Sequence, residues 1–136
     1  MGKSIDELLQ APYWVIDILP GQVPEDSPGQ FFAVEKYFLQ EERLGGIKQK
    51  HINLILKLNC YRRISLGGEG AGNPPPEQIA AEIRGNRACI MVDDSMIVSE
   101  PDDTCMALYN PNGKLLDLVR ALASGEGLYV WKPPAG

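Results

Sequence analysis

A single histidine, three cysteines and no apolar run near the ~20 residues that cross a bilayer deprive this sequence of the material for several protein classes. With one imidazole and no C-x-x-C pair, three or four convergent nitrogen and sulfur ligands are not at hand, so neither a metal nor another cofactor is expected. Cys60, Cys89 and Cys105 are odd in number and sit in largely apolar neighbourhoods, which reads as reduced thiols and not as a disulfide frame. The opening residues lack the apolar stretch of a secretory signal, and the expected location is the cytoplasm. Cations are also in short supply: 13 Lys and Arg stand against 18 Asp and Glu, a net charge of −5. Affinity for phosphate backbones comes mainly from clustered Lys and Arg, so neither nucleic acid nor membrane is an expected partner.

Catalytic signatures are equally scarce. No G-x-S-x-G or H-E-x-x-H is present. The glycine-rich run that begins at Gly67 precedes a predicted helix, where phosphate loops sit, but it lacks G-x-G-x-x-G spacing. Pro74, Pro75 and Pro76 then remove the N–H donors an anion would need, which leaves a connector. His51 with Cys60, Cys89 or Cys105 would be a minimal nucleophilic dyad, but the sequence places none of these thiols beside it. The acids Asp93, Asp94, Glu100, Asp102 and Asp103 do not follow EF-hand order and read as solvated turns.

What is present is the composition of an ordinary globular domain, 44% hydrophobic and 23% charged, expected to fold as one unit over residues 1–136 with a frayed tail at 133–136. Ser4 and Glu7 form a capping box for a short helix through Leu9 that stops before Pro12. Residues 13–19 have the aromatic and β-branched composition of a largely buried strand. Ser27 and Pro28 predict a helix start, with the helix running to Leu44 and ended by Gly45 and Gly46.

Residues 51–60 alternate apolar and polar, broken only at Ile55, which predicts a strand. A helical face through Ile47, His51, Leu54, Ile55 and Leu58 is the alternative. A helix over 77–84, strands over 87–92 and 96–98 joined by Asp93-Asp94-Ser95, and a strand over 105–109 follow. Asn110-Pro111 predicts the start of a last helix and 128–131 a last strand. The fold class that results is α+β: a two-layer domain with a mixed sheet of about five or six strands and three or four helices mainly on one face. The closing strand, helix and strand predict two neighbouring parallel strands.

Function is less legible. Residues 31–66 carry seven basic side chains against three acids while the rest of the chain is acidic, a pattern that fits a patch for an anionic ligand or complementary faces for self-association. Asp17 and Glu35 are carboxylates in apolar surroundings, where a general acid or base is often found. Asp17 is expected to form an ion pair with Arg62 or Arg63. Asp17, His51, Arg62 and Arg63 are the candidate ligand-binding residues, and no catalytic residue is assigned. Aromatic residues crowd the first third beyond what one core face can hide, so Tyr13, Trp14, Phe32 and Tyr37 are the candidate interface of a homodimer. The sequence therefore predicts a non-catalytic interaction domain that self-associates. A small-molecule binder or enzyme with a pocket near the basic middle is the second reading.

Overall fold

A computed structural model describes residues 4–67 and 72–134. Residues 68–71 of the glycine-rich run and residues 135–136 of the expected tail lie outside the described residues. The chain runs α1 (Ile5–Leu9), β1 (Tyr13–Asp17), α2 (Phe31–Phe38), α3 (Glu41–Tyr61), β2 (Ile64–Leu66), α4 (Pro76–Gly85), β3 (Ala88–Val92), β4 (Ser95–Ser99), β5 (Met106–Tyr109), α5 (Gly113–Gly125) and β6 (Tyr129–Trp131). The strands form a six-stranded sheet in the order β2-β3-β4-β5-β1-β6. The result is a two-layer α+β domain.

Period-two alternation divides the sheet into two faces with different tasks. Ile16, Ile90, Ile97, Met106 and Leu108 point to one side, where Leu54, Ile55 and Leu58 of α3, Ile79 and Ile83 of α4, and Leu115 and Val119 of α5 complete a continuous core. The alternate residues Cys89, Met91, Met96, Val98 and Tyr109 point the other way and are capped by Leu8 of α1. The capping box that starts α1 forms as the sequence predicts, with Ser4 Oγ accepting from Glu7 N at 3.2 Å. Among the described residues, no helix is long and apolar enough to cross a membrane.

The predicted strand over 51–60 is the second half of helix α3, and the predicted stop at Gly45 and Gly46 lies inside that helix. The physical reason is the length of the apolar stripe. Ile47, His51, Leu54, Ile55 and Leu58 recur with helical period and are all buried, so Ile55, the residue that broke the alternation, is a core residue. Asn53 and Lys57 on the outer side both bond Glu126 of the α5 C-cap.

The helix predicted to begin at Ser27 and Pro28 starts later, at Phe31 with Gln30 as its cap. Ser27 Oγ instead accepts from Gly29 N at 3.2 Å and holds a turn. Likewise α5 is capped by Asn112, whose Oδ1 accepts from Leu115 N at 2.8 Å. Asn110 takes a left-handed φ of 57° and donates to the Asp94 carbonyl at 2.9 Å.

All the strand pairs are antiparallel, where a mixed sheet was expected. The unit β5-α5-β6 does return a strand in the same direction, but β1 lies between the two and pairs antiparallel with both. An early strand inserted into a late crossover ties the two ends of the chain together.

Candidate functional site

The sequence-chosen polar residues do not converge. Arg62, at the end of α3, bonds Asp93 at 2.5 Å, and Arg63 lies against Gly72, where an added Cβ would collide with its guanidinium. The expected pairing of Asp17 with either arginine is thus replaced: one arginine belongs to the β3–β4 turn and the other covers the segment before α4. His51, read as a residue at a strand start, is 0% exposed in the middle of α3. About 16 Å of helix axis separates it from Arg62.

His51 stands three residues after Lys48, and together they form a buried polar pair behind the 100–104 loop. Lys48 Nζ donates to Ser99 Oγ at 3.1 Å, to the Glu100 carbonyl at 2.6 Å and to the Asp103 carbonyl at 3.4 Å, which fixes the start of the loop. Burial holds the Lys48 ammonium below its usual range, opposed by the acids of the loop, Asp103 first. The His51 imidazole is pushed down to about 3 by burial and then by the Lys48 charge. The Thr104 backbone opposes that shift, yet neither ring nitrogen closes a hydrogen bond of ordinary geometry.

Asp17 leads to a different place. It ends β1 on the face opposite Ile16, in register with Tyr129 of β6, and it lines a cavity of about 360 Å³. Val15 and Trp131, paired in register on the same face, form the floor. Phe31, Val34, Glu35 and Phe38 of α2 form the roof, with Leu19 and Val23 of the following loop and Asp103, Thr104 and Cys105 closing the sides. Asp17 and Glu35, far apart in sequence and both singled out as carboxylates in apolar surroundings, therefore share this cavity.

The electrostatics of the cavity are one-sided. Asp17, Glu35 and Asp103 line it, and among the described residues no Lys, Arg or His does. Burial raises the Asp17 carboxyl above its ordinary range. The backbone N–H groups of Ile18 and Leu19 oppose this, and so does the Trp131 indole N–H. Ile18 N donates to Asp17 Oδ1 at 2.7 Å, which fixes the carboxylate. Trp131 Nε1 is buried near that carboxylate without a closed bond of its own. Cys105 Sγ donates to Asp103 Oδ1 at 3.6 Å, and burial together with the charges of Asp103 and Asp17 pushes the thiol up to about 12. Such a thiol stays protonated at neutral pH and is no nucleophile. An anionic ligand finds no counter-charge in this lining.

The acids 93–94 and 100–103 occupy opposite ends of β4, and among the described residues no group of three potential ligands is placed to hold a metal ion. Of the predicted interface aromatics, Trp14 packs against the core on the inner face with Arg120 4.8 Å above its ring. Tyr13 stacks on Tyr109 at 5.3 Å and stays 40% exposed. Phe32 is 82% exposed, and Tyr37 is 48% exposed with Arg43 3.9 Å from its ring centre.

Sequence reasoning missed Trp131, Phe31, Phe38, Asp103 and Cys105 as cavity residues. They come from three separate stretches of chain, and no spacing rule joins them. Lys48 did carry a signal, a charge next to Ile47 at the edge of an apolar helical stripe, but only under the helical alternative for that segment. No family model matches this chain, and neither a curated protein nor a solved structure matches it.

Proposed function

We propose that this chain is a non-catalytic binding domain of the cytoplasm that self-associates through the outer side of helix α2. The observation that carries this reading is the composition of α2 set beside its burial. Apart from Glu35 and Lys36 every residue of FFAVEKYF is apolar or aromatic, yet none is buried. A helix apolar on all sides belongs in an interior. In this one Phe31, Val34 and Phe38 face the cavity while Phe32 and Tyr37 are left in water.

A second copy supplies what this surface requires. In a two-fold contact the same patch meets itself, so Phe32 and Tyr37 of each copy are covered together. The free thiols Cys60, Cys89 and Cys105 support a reducing compartment, and the protonated Cys105 with the enclosed, neutral His51 supports a non-catalytic role. Sedimentation velocity tests the reading. A dimer is expected at tens of micromolar, converted to monomer by Phe32→Ser with Tyr37→Ser while the circular dichroism stays unchanged. A compact monomer at ~100 μM would overturn it.

A further inference from the structure

We propose that the cavity beneath α2 is a binding site for a hydrophobic organic cation, a primary amine on an aromatic or aliphatic body, with the Asp17 carboxylate as its counter-ion. The inference concerns the inner side of α2 and does not rest on what covers the outer side.

Size sets the class of ligand. About 360 Å³ lies within the roughly 300–1,000 Å³ of small-molecule pockets and is far more than a single water needs. The walls are apolar, with Val34 and Phe38 above, Val15 below and Leu19 at the side, so the body of the ligand is apolar too. Charge sets its head group. Three carboxylates repel an anion, and a neutral guest would displace water while leaving the half-buried Asp17 carboxylate without a counter-ion.

A cation supplies that counter-ion. None of the ion pairs among the described residues engages Asp17. The buried Lys48 does not serve it, because its ammonium is already bonded to Ser99, Glu100 and Asp103. A hard metal ion is poorly served, because it wants a dense set of oxygens and the described residues offer no such group. Phe31, Phe38 and Trp131 add three aromatic rings to the lining, and aromatic faces beside a carboxylate are suited to an ammonium on a hydrocarbon.

The test uses 2-phenylethylamine with its uncharged and anionic counterparts, 2-phenylethanol and 3-phenylpropanoate, titrated into the full chain and followed by proton–nitrogen NMR. The chain has two tryptophans, so Trp131 reports on the cavity and Trp14, on the opposite face, serves as the internal control. The amine is expected to move the Trp131 indole signal saturably and leave Trp14 in place. It should bind at least about tenfold more tightly than the alcohol, and the propanoate should not bind.

Asp17→Asn is expected to erase the preference for amine over alcohol. Val34→Trp, placed on a helix where the native side chain is already 44% exposed, should fill the cavity and abolish binding without disturbing the fold. The proposal fails if no saturable Trp131 shift is seen up to ~10 mM amine, if the propanoate binds as well as the amine, or if Val34→Trp leaves binding intact.

Discussion

The two faces of the sheet are finished to different degrees. On the inner face, residues from α3, α4 and α5 close over Ile16, Ile90, Ile97 and Leu108, and each of these four strand residues is fully buried. On the outer face, the five-residue α1 caps β3 and β4 through Leu8, and α2 stands over the β1–β6 end with a cavity beneath it and no buried residue. The first arrangement stabilises the domain. The second leaves apolar surface available, together with carboxylates that have no ion-pair partner among the described residues, which is what a binding element requires. On the proposed reading, stability and recognition fall on opposite sides of one sheet and should respond separately to substitution.

The largest expected effect tests the seam between the two regions. His51 is enclosed and takes a proton only near pH 3, whereas in the unfolded chain it does so near 6.5. Between these values the unfolded state binds the extra proton, so stability falls as pH drops from 6.5 towards 3 and levels off below. The loss should approach ~5 kcal/mol over that window. Asp17 works in the opposite sense, since its raised carboxyl favours the folded state as pH falls. Urea unfolding of the native chain and of His51→Leu across this range isolates the imidazole. The difference between the two slopes should vanish above pH 6.5, and a difference that stays flat with pH would show that the histidine is hydrated.

Next in size is the contrast between the faces themselves. Leu54→Ala removes a fully buried side chain from the inner core and should cost about 3 kcal/mol. Val34→Ala on α2, 44% exposed, should change stability by less than about 0.5 kcal/mol when measured on dilute protein. Comparable losses at both positions would mean that α2 belongs to the core and that the outer face is not free to bind.

The same contrast explains what could be read from the residues alone. The inner face is written in periodicity, so β1, the β3–β4 hairpin, α4 and α5 follow from local pattern and turn chemistry, and the two-layer class follows from them. The segment after Gly46 misled because an apolar stripe of alternating leucines satisfies both periods. Only the presence of sheet on one side and solvent on the other, with Asn53 and Lys57 bonded to Glu126, selects the helix. The cavity is written in no local pattern. Asp17 and Glu35 were recognisable as carboxylates among apolar neighbours, but β1 meets β6, α2 and the 100–105 loop only through tertiary packing.

Gly45 and Gly46 mark where the two regions join. They sit in the first part of α3, before burial begins at Ile47, and a Cβ added to either would meet no atom within 4 Å. Neither takes a left-handed φ, so sterics do not require glycine at these positions. Helix propensity then predicts that Gly45→Ala and Gly46→Ala each raise stability by ~1 kcal/mol, seen as a higher urea midpoint. The informative comparison is with the outer face. If stability rises while amine binding and self-association are unchanged, the glycines are merely tolerated by a helix whose core contacts outweigh them. If stability rises and both outer-face activities weaken, the same residues act as the flexible joint that lets α2 move over its cavity. Flexibility at that joint would then be part of recognition, at a cost in stability that the inner face is large enough to offset.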